Sequence, residues 1–268
     1  MKLPIVNQKN EPHGNRALPL QFEEAYRPDL IHRAFVTERS NERQPYGSDP
    51  EAGQRHSSKL SRRRRNYRGA YGMGISRSPR KITSRRGRRM QWVGATAPYT
   101  RGGRRAHPPT AEKSWERKIN AKELKKALRS AMTATVTPLL VEQRGHRLPK
   151  DYPFIIASAC EQLSKTKEVL AAFQKWNLSD ELARAAVKKI RAGKGRKRGR
   201  KYKHRSGPLL VVSQDCPLVR AGSNIPGVDV VAVHDLDIQL LAPGAVPGRL
   251  TFWTEKALEK IEQGKLFL

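Results

Sequence analysis

The chain has 268 residues and carries 54 Lys and Arg against 24 Asp and Glu, a net charge of +30. Two cysteines, Cys160 and Cys216, exclude a disulfide framework and fit a reducing compartment. No apolar run approaches the ~20 residues of a bilayer-spanning helix, and Asn7 to Asn10 interrupts any signal-peptide core, so a cytoplasmic protein with no membrane partner is expected.

The charge is not spread evenly. Residues 52–111 hold seventeen basic residues and no acid. Residues 184–205 hold twelve more, again without an acid. What remains is nearly neutral, at 25 basic against 24 acidic residues. Such a partition predicts a folded body pinned to a polyanion at two places, and the obvious polyanion is nucleic acid.

In chain order, Lys2 to Val6 reads as a short strand and residues 7–15 as a turn. Pro19 opens a helical pattern through Leu20, Phe22, Ala25, Tyr26, Leu30, Ile31, Ala34 and Phe35. Pro28 should split it, with Asp29 near the second N-terminus. Residues 44–111 then form a basic loop far longer than the ~15 residues usual inside a domain. It shows no helix or strand period, so it should close no core of its own and take shape only against nucleic acid.

Asn120 reads as an N-cap with Glu123 three places on, before an apolar stripe of Leu124, Ala127, Leu128, Ala131 and Met132. That helix should end over residues 133–137, before Pro138. Residues 154–157 read as a buried strand, 166–176 as a helix, and 180–190 as a second helix running into the Lys/Arg block. Strands follow at 209–212, 228–233 and 250–253, with a short segment at 238–241 and a terminal helix at 255–263. Strands separated by helices imply a three-layer α/β/α body with a mostly parallel sheet of four or five strands. The predicted organisation is a body of residues 1–43 and 112–268, an inserted irregular loop of 44–111, and a second basic segment of 191–206 within the body.

Arginine dominates the loop, and it makes planar phosphate contacts and stacks on bases. The candidate RNA contacts there are Arg55, Lys59, Arg62, Arg63, Arg64, Arg65, Arg68, Arg77, Arg80, Lys81, Arg85, Arg86, Arg88, Arg89, Arg101, Arg104 and Arg105. Tyr67, Tyr71, Trp92 and Tyr99 supply stacking surfaces. The second block admits three readings: a nuclear-import-like run, a solvated face or a second RNA anchor. Two acid-free runs in one chain favour the anchor, through Lys194, Arg196, Lys197, Arg198, Arg200, Lys201, Lys203 and Arg205.

Enzymatic signals are weak. Gly193-Lys-Gly195 lacks the ending of a phosphate-binding P-loop, and Gly69-Ala-Tyr-Gly72-Met-Gly74 follows no strand and reads as a flexible tip. Asp235 and Asp237 read as turn and cap residues, because no His, Ser or Cys partner stands in a recognisable arrangement. The seven histidines are scattered without metal-ligand spacing. Trp115, Trp176 and Trp253 read as core or core-edge residues. No catalytic residue, cofactor or metal is expected. The rivals are an RNA-modifying α/β enzyme with a basic clamp and a free-standing nucleic-acid packaging protein.

Several motifs together carry a resemblance: Arg27-Pro-Asp-Leu-Ile31, Gly72-Met-Gly-Ile-Ser-Arg-Ser-Pro-Arg80, Arg104-Arg-Ala-His-Pro-Pro109, Asn224-Ile-Pro-Gly-Val-Asp229 and Trp253-Thr-Glu255. The chain resembles the family of the universal large-subunit ribosomal protein number four, in its archaeal form, over nearly its whole length. That resemblance implies a structural, non-enzymatic constituent of the large ribosomal subunit that binds ribosomal RNA and supports assembly. It also implies neighbouring large-subunit proteins as partners, and an extended loop whose tip lines the peptide exit tunnel beside the nascent peptide. Matched onto this chain, the tip is Gly72, Met73, Gly74, Ile75, Ser76 and Arg77.

Overall fold

A computed structural model describes residues 1–87 and 89–268. The chain divides into two compact units: Met1–Glu42 with Glu116–Leu268, and Arg43–Trp115. The elements begin with β1 (Lys2–Val6), β2 (Pro12–Ala17) and α1 (Pro28–Asn41). The second unit contributes β3 (Arg80–Arg86) and β4 (Arg89–Gly94). The first unit resumes with α2 (Ala121–Val136), α3 (Pro138–Gln143), β5 (Ile155–Ile156), α4 (Thr166–Lys175), α5 (Ser179–Ala186), β6 (Lys189–Ile190) and β7 (Tyr202–Lys203). It ends with β8 (Leu209–Val212), α6 (Pro217–Ser223), β9 (Asp229–Ala232), α7 (Ile238–Leu241), β10 (Thr251–Thr254) and α8 (Glu255–Gln263).

The body is built on a six-stranded sheet in the order β2-β1-β5-β10-β8-β9. Only the β1–β2 pair is antiparallel; the other four pairings are parallel. All four residues of β8 are buried, and so are all four of β10, as strands covered on both faces require. Alternation then sorts side chains to two cores. Leu3, Ile5, Ile155, Leu209, Val211 and Trp253 meet α1, α2, α7 and α8 on one face. Val6, Ile156, Leu210, Val212, Val230 and Phe252 meet α3, α4 and α6 on the other.

Local chemistry explains most boundaries. Pro28 does break the N-terminal pattern, and it takes the first helical position of α1, where its missing N–H costs nothing. The Thr254 hydroxyl accepts from the Ala257 amide at 3.3 Å and starts α8. Asn120 does occupy the N-cap of α2, yet its side chain makes no capping bond, and Glu123 reaches Arg33 at 3.2 Å instead.

The structure corrects four expectations. The sheet has six strands rather than four or five, because the supposed turn contains β2. That edge strand is almost wholly exposed and pairs through its backbone, so it needs no apolar pattern, and Pro12 stands at its first position. Residues 180–190 do not form one helix: α5 stops at Ala186, and Lys189 already belongs to β6. α2 continues through residues 133–136, its Thr133 hydroxyl bonded to the Arg129 carbonyl at 3.1 Å. The basic insertion is not wholly irregular, since β3 and β4 pair as an antiparallel hairpin within it.

Three buried polar clusters tie the body together. Arg249 is buried; its guanidinium donates to the Gly207 carbonyl at 2.9 Å and the Leu240 carbonyl at 3.0 Å, and it pairs with Asp229. The carboxylate of Glu161 accepts from the Ser213 amide at 3.0 Å, the Ser213 hydroxyl at 2.9 Å and the Thr254 hydroxyl at 2.6 Å. Glu181 is fully buried beside His146 Nδ1 at 2.6 Å, the Arg147 amide at 2.9 Å and Arg184 Nε at 2.7 Å. Burial pushes the Glu181 carboxyl up, but the bonds from Arg184 and His146 outweigh it and hold the pKa at about 2.

Candidate nucleic-acid interface

Within the second unit, the outgoing and returning chains are clasped at their base. Arg43 lies over the Trp115 ring at 3.8 Å, and Lys113 lies over the same ring at 4.4 Å. Tyr46 stacks on Trp115 with centroids 5.7 Å apart. The Ser48 amide donates to the Pro109 carbonyl at 2.9 Å. Gly47 permits this approach, since a Cβ there would sit 2.4 Å from the Ala111 nitrogen. Trp115 therefore belongs to this clasp and not to the body's core, while Trp176 and Trp253 are core residues at 3 % and 2 % exposure.

Beyond the clasp, Arg55 pairs with Asp49 and lies 3.9 Å from Glu51. Among the described residues of 52–111, Arg55 alone has a carboxylate partner. Lys59 bridges to Arg80 through the backbone, and Ser61 to Gly69, so the chain folds into a basic turn carrying Arg62, Arg63, Arg64 and Arg65. β3 and β4 then rise as a ribbon, with Gly87 at φ +57° in its turn. Ile82, Thr83, Trp92 and Val93 are strand formers, and Ile82 sits directly opposite Trp92.

Several predicted contacts are brought together as cation–aromatic pairs. Arg68 and Arg85 lie over Tyr67 at 5.3 Å and 5.0 Å. Arg77 lies over Tyr71 at 4.4 Å, and Arg80 over Trp92 at 5.4 Å. Arg80 also donates to the Ser76 hydroxyl at 2.8 Å and the Ser78 carbonyl at 3.3 Å, which fixes the chain behind the tip. At the tip itself Gly72, Met73, Gly74, Ser76 and Arg77 are exposed and Ile75 is half-buried. Arg86, Arg89, Tyr99, Arg101, Arg104 and Arg105 are exposed, and Lys81 is half-buried. Arg88 lies outside the described residues.

The second basic segment is a hairpin in the body unit. Its strands place Lys189 opposite Lys203 and Ile190 opposite Tyr202. The turn between them carries Lys194, Arg196, Lys197 and Arg198 in a tight helical turn bounded by Gly193 and Gly199, both at positive φ. Arg200, Lys201, Lys203 and Arg205 follow, and every one of these cations is exposed. Arg191 braces the hairpin by donating to the Arg200 carbonyl at 3.2 Å. At its root, Arg184 donates to the Ser206 carbonyl at 2.7 Å. Opposed lysines repel, so the hairpin presents uncompensated charge to whatever lies beside it.

Sequence reasoning missed Arg43, Tyr46, Lys113 and Trp115 as a set. Their signal was an aromatic flanked by cations at both ends of the insertion, readable only once the two ends were known to meet. It also passed over the exposed pair Ile190 and Tyr202, at 61 % and 47 % exposure.

The sequence matches the family described as "Ribosomal protein L4/L1 family" over residues 17–264. It is 47 % identical over 268 residues to the large ribosomal subunit protein uL4 of Nanoarchaeum equitans, covering all of both chains. It is 47 % identical over 266 residues to the protein of that name from Methanocaldococcus jannaschii, covering 98 % of this chain and 99 % of the relative. The relative from Archaeoglobus fulgidus is 41 % identical over 260 residues, covering 97 % of each. A match that runs through the body, the clasp, the basic ribbon and the second hairpin alike has one meaning: the chain belongs to the ribosomal protein L4/L1 family.

Proposed function

We propose that this chain is a structural constituent of the large ribosomal subunit that binds ribosomal RNA through two basic elements carried by a near-neutral body. The observation that carries this reading is full-length similarity to archaeal large-subunit proteins, joined to a charge distribution confined to two exposed segments. The family's members are structural and not enzymes, and as a ribosomal component the chain works in the cytoplasm. Among the described residues no helix is long and apolar enough to cross a membrane.

The insertion threads between RNA segments and neutralises phosphates where they crowd together, with release of counterions. Arg62, Arg63, Arg64, Arg65, Arg86, Arg89, Arg101, Arg104 and Arg105 contact phosphate and sugar, while Tyr67, Tyr71, Trp92 and Tyr99 stack on unpaired bases. The second hairpin anchors the body through residues 194–205. The exposed tip around Gly72 to Arg77 lines the peptide exit tunnel beside the nascent peptide, and neighbouring large-subunit proteins abut the body. The RNA-modifying rival is disfavoured by Glu161, which fills the carboxyl ends of β8 and β10 with a satisfied internal carboxylate.

Co-sedimentation tests the reading. The full chain should remain with purified large subunits through a high-salt wash, and a chain lacking residues 69–89 should keep a folded body but leave the tunnel wall altered. Loss of the full chain at high salt would overturn the proposal.

A further inference from the structure

The β6–β7 hairpin has two unlike faces. Its ladder sets Lys189 opposite Lys203 and Ile190 opposite Tyr202. Successive side chains on a strand point to opposite faces of the ribbon. One face is therefore a pair of lysines, and the other is an isoleucine and a tyrosine that both stand in water. We propose that the Ile190–Tyr202 face is a docking surface for a neighbouring large-subunit protein whose contact patch is apolar and edged with carboxylates. That such a neighbour exists rests on the family reading above; which face meets it, and what chemistry it carries, does not.

The energetics of the ribbon call for a cover. A two-stranded hairpin alone in water is marginal at best and is stabilised when an apolar face is packed. Here each strand has only two residues. One of the two cross-strand pairs opposes like charges, which weakens the ribbon. The Ile190–Tyr202 pair is the one able to strengthen it, and neither side chain is buried by the body. Backbone bonds hold the shape meanwhile. The Arg191 amide donates to the Lys201 carbonyl at 2.9 Å, and its guanidinium donates to the Arg200 and Tyr202 carbonyls at 3.2 Å and 3.4 Å. These bonds present the face ready-made without covering it.

A protein fits this face better than RNA does. Ile190 is aliphatic, with no ring for a base to stack on and no donor for a phosphate. The Tyr202 ring already has the Lys201 ammonium over it, 5.4 Å from the centroid, in the place a stacking base would take. The border explains the carboxylates. Lys188, Arg191, Arg200 and Lys201 flank the pair in sequence and are exposed, and residues 184–205 hold no acid to pair with them. Docked against a purely apolar patch, these cations would lose water and gain nothing. An apolar centre with an acidic rim satisfies ring, aliphatic chain and cations together. Lys189 and Lys203 stay turned the other way, free for phosphate.

Photocrosslinking in intact large subunits tests this. Benzoylphenylalanine is placed at Ile190 in one full-length variant, at Tyr202 in a second and at Lys203 in a third. Irradiation of subunits purified from cells carrying each variant should join the first two to a protein, in an adduct that survives ribonuclease. The attached peptide should carry Asp or Glu beside apolar residues. The Lys203 probe should join RNA instead. Adding Ile190→Asp to the Tyr202 variant should abolish most of its protein adduct while the chain stays with the subunits at high salt. RNA adducts from Ile190 and Tyr202, a peptide without an acidic residue, or no adduct from a chain seated in the subunit would overturn this face and leave the family reading intact. A chain absent from purified large subunits would overturn the family reading, and this face with it.

Discussion

Arg249 is buried beneath a carboxylate that is not: its side chain is 2 % exposed, while that of its partner Asp229 is 52 % exposed. The asymmetry sets the cost of each truncation. Arg249→Ala removes a buried cation together with its bonds to the Gly207 and Leu240 carbonyls, leaving both acceptors stranded. We expect a loss of about 3–5 kcal/mol, as for breaking a buried pair from the inside. Asp229→Asn keeps the shape and loses a partner already half in water, and should cost about 1 kcal/mol. Urea unfolding followed by the buried Trp176 and Trp253 would measure both; equal costs would contradict the assignment.

Two buried groups should make the body lose stability as the pH falls. Burial lowers the His146 pKa, so protonation opposes folding as the pH falls below the ~6.5 of the unfolded chain. The bonds that hold Glu181 near 2 add stability that is present above the unfolded value of 4.5 and is lost as the pH falls through about 2. Both make the body acid-sensitive.

Glu38 works the other way. Burial, then the charge of Asp237 at the N-cap of α7, raises its pKa to about 7. Its carboxyl favours the folded state when protonated, and that contribution is lost as the pH rises from the unfolded 4.5 to about 7. Glu42 adds to the repulsion, while the Ile238 and Gln239 amides offset part of it. Glu38→Gln should therefore raise stability by about 1 kcal/mol above neutral pH, after allowance for solvent screening, and leave it unchanged in acid. Melting curves on either side of neutrality would show this; stabilisation at both pH values alike would not fit.

The clasp of Arg43, Tyr46 and Trp115 should govern how readily the base of the insertion opens. Trp115→Ala removes two cation–π contacts and one stacked pair. At about 0.5–2 kcal/mol for such contacts, tryptic cleavage at Arg43 and Lys113 should speed by roughly 2- to 30-fold. The melting of the body should not move. An unchanged cleavage rate would remove the clasp.

Neutralising the second hairpin should change the salt dependence of RNA binding and not merely its strength. Replacing Arg196, Lys197, Arg198, Arg200 and Lys201 by Ala removes five exposed cations. At ~0.7 per phosphate contact on single strands, the slope of log affinity against log salt should fall by about 3 to 4. A slope that stays put would take this hairpin out of the RNA contacts.

The sequence was most legible where one physical rule acts alone. The buried runs of β8 and β10, the Pro28 break and the limits of α8 follow from hydrophobic pattern and cap chemistry. It was least legible where tertiary context decides. β2 has no apolar face to announce it and exists because β1 offers it a backbone ladder. β3 and β4 hide among arginines because adjacent cations such as Arg80-Lys81 and Arg85-Arg86 erase the period of two. α6 went unread although Pro217 stands at its first position, since its seven residues are too few for a period to show.

The Glu161 carboxylate has a further consequence. In open α/β sheets the carboxyl ends of the strands are where visitors are received. Here two neighbouring strand ends, at Ser213 and Thr254, have been stitched to each other by an internal acid. That seam trades hospitality for closure: two strand ends that could part around a guest are held to one another instead.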